Sequence, residues 1–259
     1  MPRILNPRVK VIATVHSADW EHQKWSSFAK YMLKLGANFA CKFAHEALAV
    51  SRSLQKYCLA NHHTDVIYIP NGVSNLSANS NEKSKEILKT FNLQPQKYIL
   101  VVTRLIKHKG VHYLIEAFKN LKNNPKFADY KLVIVGSTAF TENYQAYLKN
   151  LSQNHSDIIF TGTQTGANLD GLFRHAYLYC SPSESEGLSI SILEAMAYAK
   201  PILVSDIEEN LELISGNSQT GAVGFDFKNK NIVDLQQRLE TLLNNPEIAR
   251  HVGKKAQAY

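Results

Sequence analysis

The chain reads as an α/β protein built on a parallel, doubly wound sheet, and three observations carry that expectation. Short apolar runs recur through its second part, at Tyr98–Val102, Lys131–Val135, Ile158–Thr161, Tyr177–Cys180 and Ile202–Val204. Helical stripes lie among them: Val111, Leu114, Ile115, Phe118 and Leu121 form one, and Tyr144, Tyr147, Leu148 and Leu151 another. Strands separated by single helices run parallel, because each crossover returns the chain to the same end of the sheet. Third, the polar turn Ser181-Pro182-Ser183-Glu184-Ser185-Glu186-Gly187 lies between the run Tyr177–Cys180 and an apolar helix over Ser189–Tyr198. Strand, polar turn, helix and strand make one βαβ unit, and such sheets bind ligands at the carboxyl ends of their strands.

Taken from the start, Arg8–Val15 reads as a strand ending at His16. A long helix follows, with Trp25, Phe28, Met32, Leu35 and Phe39 three to four residues apart. That stripe is expected to cover a sheet, with Lys24, Lys30 and Lys34 in solvent; contact of one face with lipid headgroups is the alternative. Ala47–Val50 is the next strand, and Ser51 is placed to cap a helix over Arg52–Leu59. Val66–Ile69 is a third strand, stopped by Pro70-Asn71-Gly72. The polar run Asn75–Asn81 is the best linker in the sequence. It divides the chain into residues 1–78 and 79–259. Toward the end, Ile232, Leu235, Leu239 and Leu242 form a third helical stripe, and Pro246 opens the last helix.

Composition narrows the classes. A hydrophobic content of 44% with 20% charged residues is that of an ordinary globular protein. No apolar run is long enough to span a bilayer, and the first residues lack a signal-peptide core. Cys41, Cys58 and Cys180 are odd in number and lack metal spacing, so three free thiols in a reducing, cytoplasmic location are expected. The net charge is +7, and residues 1–78 hold nine Lys/Arg against four Asp/Glu. That basic first part fits an anionic membrane or a phosphorylated lipid acceptor, or simply a soluble basic surface. It has no zinc-finger spacing or RNP-like motif, so no nucleic-acid partner is expected.

Two stretches carry candidate chemistry. In Thr103-Arg104-Leu105-Ile106-Lys107-His108-Lys109-Gly110, two cations follow a strand end and precede a helix. Arginine offers a planar fork to phosphate oxygens and lysine a compact charge, which suits a diphosphate. In the second stretch, Glu186 and Glu194 flank the start of the helix after the polar turn. Gly187 puts the first on a loop, and the second lies inside the helix, a spacing that suits two ends of an elongated polar ligand. The free N–H groups of the first helical turn favour an anion between them. Taken singly, Glu194 also fits a capping box with Ser191, and Glu186 a solvated loop acid.

Four segments together resemble the retaining glycosyltransferases of family 4. Glu186-Gly187-Leu188-Ser189-Ile190-Ser191-Ile192-Leu193-Glu194 is similar to the family's E-x7-E region, and Arg104 to Gly110 to its G-R-x-x-x-x-K-G segment, with Thr103 in place of glycine. His16-Ser17-Ala18-Asp19-Trp20 is similar to its H-G-x-D-W stretch, and Ile69-Pro70-Asn71-Gly72-Val73 to its hinge turn. The resemblance runs from about Val9 to the C-terminus. It implies a GT-B architecture: a Rossmann-like C-terminal domain that binds a nucleotide-sugar, and a partial Rossmann-like N-terminal domain whose first half is expected to be absent.

By the same resemblance, Arg104 and Lys109 grip the donor diphosphate, Glu194 the ribose and Glu186 the sugar hydroxyls. His16 faces the transferred sugar, Gly136 and Thr163 seat the base, and Gly187, Leu188, Ser189 and Asn71 complete the donor site. The implied activity is metal-independent transfer of a hexose from a UDP- or GDP-sugar, with no further cofactor. The implied acceptor is a polysaccharide or lipid-linked glycan of the cell surface, lipopolysaccharide included, reached from the cytoplasmic face of the membrane. A nucleotide-sugar-binding chain without turnover and a GT-B-fold sugar-nucleotide epimerase share the same motifs.

Overall fold

The computed structural model describes residues 8–17, 26–73, 83–138 and 142–259. The linker read at Asn75–Asn81, and with it the division at residue 78, lies outside the described residues, as do Asp19, Trp20, Lys24 and Trp25. By its contacts the chain forms two units. The first is Met1–Gly72 with Glu186–Ser189, and the second is Val73–Ser185 with Ile190–Tyr259.

The first unit holds a parallel three-stranded sheet in the order β1-β2-β3, with β1 at Ile12–Val15, β2 at Glu46–Ala49 and β3 at Ile67–Tyr68. Helix α1 (Ser27–Phe43) joins the first two strands, and α2 (Arg52–His62) the second and third. Ser26 and Ser51 cap them by accepting from the amides of Ala29 and Leu54. Alternate residues of the sheet differ in burial: Ala47 and Ala49 are buried, whereas Ile12 is 63% and Ile67 50% exposed.

The stripe expected to cover this sheet does not do so. Phe28 is 74% exposed, and Met32, Leu35 and Phe39 are exposed with it. The inward face of α1 is the quieter one, of half-buried Ala29, Leu33, Ala37 and Ala40 and buried Cys41. Small side chains let a helix approach a sheet whose own inward positions are alanines, so close packing selects them over the larger apolar stripe.

The second unit is a six-stranded parallel sheet in the order β6-β5-β4-β7-β8-β9. Its strands are β4 (Tyr98–Val102), β5 (Lys131–Val135), β6 (Ile158–Gly162), β7 (Leu178–Ser181), β8 (Ile202–Ser205) and β9 (Phe225–Phe227). Its helices are α3 (Lys83–Thr90), α4 (Val111–Leu121), α5 (Glu142–Leu151), α6 (Gly166–His175), α7 (Ile190–Ala197), α8 (Glu208–Ile214), α9 (Ile232–Asn244) and α10 (Pro246–Ala258). Every expected residue of the α4 stripe is fully buried, against a core that includes Ile99, Val101, Ile134 and Leu178. Burying each such side chain contributes roughly 1.5–3 kcal/mol. On α5, Leu148 is buried, but Tyr147 of the expected stripe is exposed. Cys41, Cys58 and Cys180 are free and buried. Among the described residues, no helix is long and apolar enough to cross a membrane.

Candidate functional site

The strand order of the second unit reverses between β4 and β7. From β4 the chain winds outward through β5 and β6, then crosses back to β7 and winds the other way. Such a reversal leaves a crevice at the carboxyl ends of the two central strands. The loops carrying Arg104 and the Ser181–Ser185 turn leave from those two ends.

Backbone bonds and one glycine bring the loops together. After β4, the Leu105 amide donates to the Ser137 carbonyl at 2.9 Å, and a short 3-10 turn follows over Lys107–Lys109. Gly110 then takes a φ of 67°, and a Cβ built there would lie 1.9 Å from the Pro182 carbonyl oxygen. A side chain is excluded both by the left-handed backbone and by the loop that follows β7. Beside it, the Glu184 amide donates to the His108 carbonyl at 2.7 Å.

The Glu184 carboxylate completes the tie. It accepts from the Tyr113 hydroxyl at 3.0 Å and pairs with Lys230 at 2.9 Å. Burial and the neighbouring carboxylate push the Tyr113 phenol up to about 12, so it stays a donor at neutral pH. Next to Tyr113 on the same helix, the His112 imidazole shares a 2.8 Å hydrogen bond with Tyr144. Arg104 is exposed and Lys109 half-buried, at the edge these contacts hold together.

Glu194 lies within α7, half-buried, and burial raises its carboxyl above the ordinary range. Ser191 is inside this helix and its hydroxyl accepts from Tyr179 at 2.8 Å. Ser191 is therefore not the N-cap, and the Ser191–Glu194 capping box is replaced by a side-chain tie from α7 to β7.

Gly136 and Thr163 end β5 and β6. Gly136 has a φ of 133°, and a Cβ on it would lie 1.9 Å from the Thr103 carbonyl oxygen. Thr103, in the place of the family's glycine, is not among the positive-φ residues. The Gly136 amide donates to Gly162 at 2.9 Å, and the Thr163 hydroxyl to Ser137 at 2.9 Å. The loops after β4, β5 and β6 are thus stitched edge to edge.

The first unit gathers the other residues singled out by sequence. His16 ends β1 and is exposed. A Cβ on buried Gly187 would lie 1.7 Å from the His16 carbonyl oxygen, so only glycine fits. The Asn71 side-chain amide donates to the Leu188 carbonyl at 3.3 Å. Leu188 and Ser189 are buried and Glu186 is half-buried. Among the described residues, no group of three His, Cys, Asp or Glu side chains is arranged to hold a metal ion.

Sequence reasoning missed Tyr113 and Lys230, and it gave Glu184 no role. Glu184 lies in the polar turn already singled out, so its place was visible but its partners were not. Lys230 follows β9, a three-residue Phe-Asp-Phe strand with too little apolar length to signal itself.

The family described as Glycosyl transferases group 1 matches residues 83–259, more than half of the chain. An uncharacterized glycosyltransferase of Haemophilus influenzae is 29% identical over 161 residues, 62% of this chain and 43% of its own length. The N,N'-diacetylbacillosaminyl-diphospho-undecaprenol alpha-1,3-N-acetylgalactosaminyltransferase of Campylobacter jejuni is 27% identical over 239 residues, 89% of this chain and 60% of its own. The chain therefore spans less than two thirds of either curated relative. The crystal structure of Anabaena HepE in complex with UDP and glucose matches with a TM-score of 0.82 at 19% identity, over 99% of this chain and 67% of that one. That likeness gives the fold as GT-B.

Proposed function

The chain belongs to the glycosyl transferases group 1, and from that premise we propose that it moves a hexose from a UDP- or GDP-sugar to a polysaccharide or lipid-linked acceptor in cell-surface glycan assembly, with retention at the anomeric carbon. The main support is the joining of the β4 and β7 loops where the strand order reverses, which presents Arg104 and Lys109 at a ligand-binding edge.

In this reading the costly event is departure of the nucleoside diphosphate. The bond from the anomeric carbon to the phosphate oxygen breaks, and its electron pair leaves with the phosphate. The acceptor hydroxyl forms the new bond on the same face and gives its proton to the departing phosphate oxygen. Arg104, Lys109 and the start of α7 stabilise the charge that develops, in place of a divalent cation. Glu194 takes the ribose hydroxyls, whose donors offset the cost of a half-buried carboxylate. Glu186, with Gly187, Leu188 and Ser189, takes the sugar. His16 orients the sugar, Gly136 and Thr163 border the base, and Asn71 holds the Leu188 backbone.

Peripheral contact with an anionic membrane on the cytoplasmic side belongs to the same proposal. Phe28, Tyr31, Met32, Leu35, Phe39 and Phe43 are exposed on a helix that also carries Lys34 and Lys42.

Calorimetry with UDP and GDP, followed by donor turnover in the presence of chelator, tests the reading. Nucleotide binding that Arg104→Ala removes, together with chelator-resistant turnover, supports it. Binding without hydrolysis or transfer leaves a nucleotide-sugar-binding chain, and loss of turnover in chelator removes the metal-independent mechanism.

A further inference from the structure

A cavity of about 300 Å³ lies at the opposite edge of the second unit's sheet, where β4, β7 and β8 begin. Three cations line it: Lys200, Arg250 and Lys254. Lys200 is only 8% exposed, and its ammonium donates to the carbonyls of Arg174 at 2.7 Å and Ala176 at 3.2 Å. An ammonium has three N–H groups, so one remains beyond these two carbonyls.

The neutral side-chain donors of the lining already have partners. The Gln96 amide donates to the Ala176 carbonyl at 3.0 Å, the Tyr177 hydroxyl to the Leu242 carbonyl at 2.7 Å, and the Tyr198 hydroxyl to the Asp170 carboxylate. Recognition is thus left to positive charge. The carboxylate paired with it is that of Glu247, which meets Arg250 at 2.9 Å in a largely exposed pair. Such a pair is weak and exchanges readily for a stronger anion.

The wall is also firm. A Cβ on Gly253 of α10 would lie 2.5 Å from the Ala199 carbonyl oxygen, so the helix is pressed onto the strap Ala199–Pro201 that carries Lys200. Burial and nearby Arg174 lower the Lys200 ammonium to about 8, a cost that a bound anion would relieve.

We propose that this cavity binds a small phosphate-bearing anion, held by Lys200, Arg250 and Lys254. Three cations suit a dianion better than a single carboxylate. The site is separate from Arg104 and Lys109 and does not depend on the transferase reading.

The test is titration of the full chain with inorganic phosphate and with a hexose phosphate, by calorimetry, in an R104A/K109A background that removes the other cationic edge. Saturable binding is expected. Adding R250A and K254A, both at exposed positions, should weaken it by at least roughly tenfold without changing the ligand-free melting curve. Tighter binding of the ester assigns a phosphomonoester, and equal affinity assigns free phosphate. Absence of saturable binding, or binding indifferent to R250A/K254A, overturns the proposal.

Discussion

The two units are built from the same βαβ grammar but differ in what their strands are buried against. In the second, every residue of β5 from Leu132 to Val135 is buried, and so is each apolar position of the α4 stripe. In the first, Ile12 and Ile67 are half-exposed or more, and the widest apolar stripe of α1 faces outward. Periodicity therefore finds a stripe, but the neighbours present decide whether that stripe becomes core. The second unit has helices and strands enough to bury its stripes, while the first buries the small-residue face of α1 and leaves the large one free.

The sharpest check of this difference pairs two phenylalanines. Phe118→Ala should cost about 3–5 kcal/mol in denaturant unfolding, because it empties a fully buried site. Phe28→Ala, on the exposed stripe, should change stability by no more than about 0.5 kcal/mol. Equal effects would break the contrast. Next in size, Arg104→Ala should lose about 3–4 kcal/mol of transition-state stabilisation with an unchanged melting curve, since this exposed side chain supports no core.

A smaller effect is expected one layer back. Tyr113→Phe removes the hydroxyl that Glu184 accepts and should weaken UDP binding by about 1–1.5 kcal/mol. Amide exchange across 105–110 should quicken with it; unchanged exchange would mean that the backbone contacts hold the loops unaided.

The least effect concerns Glu194. Its folded carboxyl is raised by burial, so its contribution to stability is fully present below the ordinary carboxylate range. That contribution is lost as pH rises through the raised value. Glu194→Gln should therefore match the wild type in acid and become the more stable protein toward neutral pH, while binding the donor less well. Parallel melting curves for the two proteins across pH would contradict this.

Much of this architecture was legible from sequence. Tyr98–Val102 and Lys131–Val135 were read to the residue because strands buried on both faces are continuous apolar runs. The polar helix Gly166–His175 and the three-residue β9 were not, since neither has an apolar pattern long enough to stand out. In the sequence, Arg104, Lys109, Glu186 and Glu194 stand out by their spacing, and their roles remain part of the proposal. What stayed hidden was how the loops are fastened. The Glu184 clamp joins residues far apart in the chain, and the close approach at Gly110 is a property of backbone paths rather than of residue type.

That fastening has a mechanical meaning. With the Gly110 Cα pressed against the Pro182 carbonyl and the Glu184 amide bonded to His108, neither loop can swing without dragging the other. Lys109 and the turn leading toward α7 are thus held as one unit, so the proposed grip on a diphosphate would need no rearrangement inside the second unit. On the proposed reading, UDP should therefore bind without loosening or reordering these loops, and amide exchange across 105–110 with and without UDP checks it.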